Sequence, residues 1–389
     1  MITKLRITLI FLFIAAVFGL MLRLMMADTI FYNYKYLLHT HSHIALLGWL
    51  YNAALIVLQY FIFKKNKGAF NRIFWISQIT IVGMMFSFPF EGYGLFSITF
   101  STLYLFCSYY LVYELFKQSK SLKNIYVAMF IRWGGVYLVI SSIGPFALGA
   151  IMALDLKETI WYKLSIYWFI HFLYNGFFVF IVFAYLLHRF EDLKNKGRIF
   201  QLMNFSVIPL YGLSILWIQP VFPFYLLALI GALLQLIAFY LLLKGKILFR
   251  FQSKDLSFKL FAIALFTYGL KMIFQVGASF EIVQEFLNNT VSASIIGYLH
   301  LVMLGFFSLF FLSLFIQHKL LKTTRILQIG IGLLVIGIVL SESLLFGQSI
   351  VNYFFKTAIP DYFTMLFWAS AFMPMGIALI ALQGMRKNK

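Results

Sequence analysis

Charged side chains are scarce in this sequence. Only 11% of its 389 residues are Asp, Glu, Lys or Arg, against roughly 25% in soluble globular domains, which excludes an ordinary water-soluble fold. Acidic residues are the rarest group, 12 against 31 Lys and Arg. Cys107 is the only cysteine, so a disulfide framework and cysteine-based metal centres are excluded. No low-complexity tract appears, and no six-plus-six inverted repeat of the kind found in transporters is visible. No segment between the apolar runs has a core pattern of its own, so a separate soluble domain is not expected.

What fills the sequence instead is apolar: 63% of residues are hydrophobic. They fall in long, nearly uncharged runs, which read as membrane-spanning helices. Twelve are expected, at roughly 6–26, 37–63, 73–93, 95–116, 126–154, 160–187, 199–218, 221–243, 257–277, 293–316, 325–346 and 362–385. The start "MITKLR" resembles that of a signal peptide. No small-residue cleavage site follows "LRLMMAD", so the first run reads as a retained helix. The expectation is an all-α, polytopic membrane protein forming a single domain over 1–389.

The net charge of +19 orients this bundle and calls for no nucleic acid. With the N-terminus placed in the cytoplasm, 24 of the 31 Lys and Arg fall on that side. Lys64, Lys65, Lys67 and Arg72 lie in one such loop, and Lys244, Lys246, Arg250, Lys254 and Lys259 in another. The opposite side has only Lys35, Lys157, Lys163 and Lys356; Arg23, Arg132 and Lys271 lie within spans. This is the positive-inside bias. It predicts cytoplasmic termini, an even helix count and a lipid bilayer as the surrounding partner.

Ionisable groups inside spans are costly and therefore point to function. Arg23, Glu91, Lys271 and Glu342 all fall in the outer half of their helices. His39, His41 and His43 lie in the outer third of the second helix. At 1.5 Å per residue, His300 lies about 10 Å below the outer end of the tenth helix and His171 about 16 Å into the sixth. His188 and His318 end helices on the cytoplasmic side and read as interfacial residues; Arg132 also lies towards the cytoplasm. The outer cluster fits a structural polar network, a polar-lined transport path, a two-histidine zinc or copper site, or haem. Haem needs axial ligands from facing helices, an apolar slot and cations for its propionates; Arg23 and Lys271 suit the last role. His39 and His43 share a helix face, whereas His41 points roughly opposite.

At these residues the chain resembles subunit I of the haem–copper oxidase superfamily, in particular its nitric oxide reductase and cbb-type oxidase branches. That subunit has twelve core helices, so the resemblance spans nearly the whole chain. Leu38-His39-Thr40-His41 stands where those branches carry Leu-His-Thr-Asn, with Gly48 downstream; this implies His39 as an axial ligand of a low-spin haem b. Gly297-Tyr298-Leu299-His300, followed by Leu304-Gly305-Phe306, stands where they carry His-x-His and a glycine. His300 matches the second axial ligand, while Tyr298 replaces the ligand of a high-spin haem. Tyrosinate is a known haem ligand, although a packing tyrosine is the simpler reading. Trp168, His171, Asn175 and Gly176 match Trp-x-x-His-x-x-x-Glu-Gly, which implies a non-haem metal at His171, with Asn175 in place of the glutamate. His43 is a further candidate for such a second site.

The departures matter. The stretch 199–218 has no histidine, where the family supplies a pair to the non-haem metal. Affinity follows ligand number and type, so copper or non-haem iron is not expected. The resemblance thus implies at least one haem b, a degraded binuclear site, a cytochrome or quinol as electron donor, and a place in a bacterial cytoplasmic membrane. Three other functions compete: an unorthodox nitric oxide or oxygen reductase, an NnrS-like haem or copper gas-stress protein, and a solute transporter. The inner halves of the spans are nearly uncharged, so proton pumping by this chain alone is not expected.

Overall fold

The computed structural model describes residues 1–28, 32–64, 67–249, 255–289 and 291–385. Lys65, Arg250 and Lys254, and the C-terminal Arg386, Lys387 and Lys389, lie outside the described residues. Among the described residues the chain is all-helical and has no strand. Twelve helices are long and apolar enough to cross a membrane: α1 (Ile2–Ala27), α2 (Tyr34–Phe63), α3 (Gly68–Glu91), α4 (Leu95–Ser119), α5 (Ile125–Ala153), α6 (Ile160–Arg189), α7 (Lys196–Leu216), α8 (Phe222–Lys244), α9 (Leu256–Gly277), α10 (Ala293–Gln317), α11 (Arg325–Phe355) and α12 (Tyr362–Gly384). These are the helices of an integral membrane protein.

Their ends have local causes. The Asn33 side chain accepts from the backbone N–H groups of Lys35 and Tyr36 and starts α2. Asn124 starts α5 and Asp255 starts α9 in the same way. Lys64, at φ 53°, ends α2 in the left-handed conformation. Two features depart from the sequence expectation. A short helix, Glu281–Asn289, precedes α10. And α11 runs on to Phe355 instead of stopping near 346, and its added turns put Gln348, Ser349 and Asn352 on the wall of a cavity.

Consecutive helices pack on one another, and α12 closes back on α1. Three helices lie at the centre. The most apolar stretches of α2, α6 and α10 are 89%, 94% and 78% buried, against 33–56% for the other nine. These three are four helices apart, and each repeats one device. In each, a histidine is followed at once by a wide π-helical segment: His43 before Ile44–Tyr51, His171 before Phe172–Phe178, His300 before Leu301–Ser308. In each, a glycine five residues after the histidine lies against the preceding helix. A Cβ would meet Phe11 of α1 at Gly48, Tyr137 of α5 at Gly176 and Thr267 of α9 at Gly305. The bundle therefore repeats one device every four helices. The three central helices meet where Tyr51, Phe177, Phe178 and Phe307 form a ring-to-ring chain and Trp49 Nε1 donates to Ser308 Oγ at 2.8 Å. π-Helical turns recur at functional sites, so the neighbouring histidines are where chemistry is sought.

Candidate functional site

Helix α10 separates two bays. Residues 298 and 300 are two positions apart and so lie on roughly opposite faces. His300 faces α2 and α11; Tyr298 faces α6 and α7.

In the first bay, His41 of α2 approaches His300, with ring centroids 6.4 Å apart and planes at 81°. His41 Nδ1 is 2.8 Å from the carbonyl oxygen of Ala15 on α1. This close approach needs Gly19, where a Cβ would lie 2.9 Å from His41 Cε1. His300 Nδ1 lies 4.0 Å from Glu342 Oε1 of α11, at ion-pair rather than hydrogen-bond distance. Glu342 is only 7% exposed, and neither carboxylate oxygen makes a hydrogen bond. Arg23 of α1, also 7% exposed, lies within electrostatic reach of Glu342, His41 and His300. Beside it opens a cavity of about 880 Å³ lined by Arg23, Tyr362, Gln348 and Asn352, among others.

Sequence reasoning pairs His39 with His300; the fold brings His41 there instead. His39 lies on the face of α2 turned towards α3, its ring 4.5 Å from that of Tyr93. His43 shares this face: its ring stacks on Phe88 at 4.4 Å and its Nδ1 bonds the carbonyl of His39 at 2.8 Å. The cause is helical geometry. Residues i and i+4 align while i+2 opposes them, and the close packing of α1 at Ala15 and Gly19 turns the His41 face towards α10. The spacing His-x-x-x-x-Gly at His43, His171 and His300 was legible in the sequence, but it marks the repeated helical device and not His41.

The second bay lies between α6, α7, α9 and α10. His171 has both ring nitrogens engaged: Nε2 is 2.8 Å from the Val207 carbonyl of α7, and Nδ1 is 3.2 Å from Asn175 Nδ2. A donating Nε2–H and an accepting Nδ1 satisfy a neutral imidazole, and no lone pair is left for a metal. Tyr298 is a packing residue here: its hydroxyl is 3.4 Å from that of Tyr174 and its ring meets Trp217 edge-on. Lys271 of α9 is wholly buried in this bay, its Nζ 2.9 Å from Gln235 Oε1 and 3.1 Å from Gln275 Oε1. Arg23 and Lys271 therefore serve different bays, and His43 and His171 pack against different helices. Among the described residues, no three His, Cys, Asp or Glu side chains are grouped to hold a metal ion.

The remaining polar residues have local roles. Glu91 Oε1 accepts from the backbone N–H of Ser97 at 2.6 Å and caps the start of α4. Arg132 Nε donates to Ser119 Oγ at 2.8 Å. His318 stacks on Phe61 at 3.9 Å and bonds the Tyr185 hydroxyl through Nε2 at 2.9 Å. Desolvation there, then the Arg189 and Lys64 cations, push its imidazole below the ordinary range.

The first bay holds two imidazoles at a spacing compatible with one shared metal ion. Two imidazoles bound to one metal through nitrogen at about 2 Å would have centroids about 6 Å apart, close to the 6.4 Å found. Among the described residues neither Nε2 makes a hydrogen bond, while each Nδ1 faces an oxygen. For His41 that is the arrangement by which metal-binding histidines are oriented from behind; His300 has only a carboxylate at ion-pair distance. No protein-family model matches the chain, and no curated protein matches it in sequence.

Proposed function

We propose that this chain is a haem b-binding integral membrane protein, of haem–copper oxidase and nitric oxide reductase ancestry, that passes electrons through a low-spin haem held by His41 and His300. The observation that carries the reading is the approach of these two rings, with neither Nε2 in a hydrogen bond among the described residues. A bis-histidine haem supplies reversible one-electron transfer and leaves no coordination position for substrate. The chain's own residues prepare that state. The Ala15 carbonyl accepts Nδ1–H and keeps the Nε2 lone pair of His41 available. Glu342 stands 4.0 Å behind His300 Nδ1 and supplies a carboxylate there without a hydrogen bond. Arg23 balances the Glu342 charge and suits the carboxylates at the haem edge.

Both termini face the cytoplasm of a bacterial cell in this reading, which the one-sided distribution of Lys and Arg supports. A cytochrome or a quinol is the electron donor. The double engagement of His171 speaks against a second, substrate-binding metal and hence against a nitric oxide or oxygen reductase. A second reading, reversible haem handling of the NnrS-like kind, draws on the wide cavity beside Arg23, which leaves room for a cofactor to enter.

The deciding experiment is the dithionite-reduced absorption spectrum of the purified protein with and without carbon monoxide. The expected result is a sharp b-type band that carbon monoxide leaves unchanged. A carbon monoxide-sensitive component would replace electron transfer with a reductase, and protein free of haem would overturn the cofactor altogether.

A further inference from the structure

We infer that the second bay binds an amphipathic carboxylate, an anion on an apolar body of the fatty-acid type. The cavity there has a volume of about 330 Å³, at the lower end of small-molecule sites. Its wall is mainly apolar, with Leu210, Leu213, Ile273, Phe286, Leu287 and Phe346. The polar groups on and behind that wall are biased to donors. Trp217 Nε1 has no hydrogen-bond partner, and Gln275 Nε2 faces the Tyr298 phenol without a bond of good geometry. Behind Gln275, both amides that hold Lys271 spend their oxygens on its ammonium, and Gln235 Nε2 is also unpartnered. Among the described residues no carboxylate pairs with Lys271. Against these donors stands one unpartnered acceptor on the wall, Asn175 Oδ1.

A buried amine among neutral amides carries a proton at least cost when an anion lies close. A carboxylate would accept from Gln275 and Trp217 and bring the missing counter-charge to Lys271. Access points to a lipid-soluble ligand. Ile273 lines the cavity yet is 60% exposed on the outside of α9. Val283, Phe286 and Leu287 of the short helix Glu281–Asn289 form another part of the wall. A ligand therefore enters sideways from among acyl chains, tail and head together. The volume suits a carboxyl group and the first part of a chain.

Equilibrium binding of radiolabelled laurate to the purified full chain tests this, with dodecanol as the uncharged counterpart, and it reads nothing from haem. Laurate is expected to bind saturably, one molecule per chain, and dodecanol at least roughly tenfold more weakly, the factor that corresponds to about 1.4 kcal/mol. Lys271→Met should weaken laurate by a similar factor and leave dodecanol unchanged; Trp217→Phe should weaken laurate several-fold. Lys271→Gln serves if the methionine variant fails to fold. Absence of saturable laurate binding, equal binding of dodecanol, or laurate binding unaffected by either Lys271 variant would overturn the inference. If no haem is present, the electron-transfer reading fails while this one is still decided by laurate.

Discussion

The two bays flanking α10 start from the same local device and end with opposite chemistry. In both, a central helix carries a histidine, a π-helical turn and a glycine pressed on the preceding helix. In the first bay His300 has only a distant carboxylate behind it, and His41 reaches it from the facing helix. In the second, His171 is tied at both nitrogens and the charge is a single buried lysine. The device is therefore shared between the bays, and the use made of its histidine is not. What each bay does depends on whether a second ring arrives and on which signs of charge surround it.

The largest expected effect separates the histidines of α2. His300→Ala and His41→Ala should each abolish the sharp reduced band, whereas His39→Ala should leave most of it. His39 contacts Tyr93 and is turned from α10. Loss of the band in His39→Ala with retention in His41→Ala, read from spectra of matched protein amounts, would reverse the assignment of the axial ligand.

Next come the glycines, which test whether the bays respond independently. Gly19→Val places a side chain against the His41 ring and should displace it, with loss of much of the bound haem. Gly176→Ala meets Tyr137 Cβ. It should lower stability by about 1–3 kcal/mol, the usual cost of overpacking, and leave the haem band of the folded fraction unchanged. Thermal unfolding and pigment content measured on the same samples distinguish the two.

A smaller effect is expected at Glu342. Glu342→Gln keeps the shape and removes the charge facing His300. Haem should remain bound, with its midpoint potential raised by up to about 60 mV, a tenfold change for a one-electron couple. An unchanged potential in a redox titration would show that the carboxylate is already neutralised, by a proton or by Arg23.

Much of the fold was legible and less of the site. The twelve apolar runs match twelve helices because a bilayer-length helix is specified by composition alone. The overrun of α11 was not, since polar Gln348 and Asn352 interrupt the apolar run there and only the fold places them on a cavity wall. His300 stood out as a costly buried group on a central helix. Its partner did not, because choosing between His39 and His41 requires knowing which face of α2 meets α1, and that follows from Gly19 and Ala15 on a different helix. Lys271 was recognised as a buried cation. Only packing shows that it lies on the far side of α10 from Arg23 and cannot share a ligand with it.

The smallest effect is expected at Asn175, and it bears most directly on why the second bay carries no metal in this reading. Asn175 is wholly buried; its amide N–H faces His171 Nδ1 at 3.2 Å while its Oδ1 has no partner. Asn175→Leu removes a weak hydrogen bond and an unsatisfied oxygen at the same time. The first change costs about 1 kcal/mol and the second returns a similar amount, so the unfolding temperature should barely move. The substitution also exposes the Nδ1 lone pair of His171, with Nε2–H still held by Val207. A single free nitrogen is too few ligands for a stable copper or zinc site. Metal content after dialysis against either ion should therefore equal that of the unmodified chain. A metal retained only by Asn175→Leu would mean that the asparagine, and not the missing histidines of α7, decides whether the second bay can hold one.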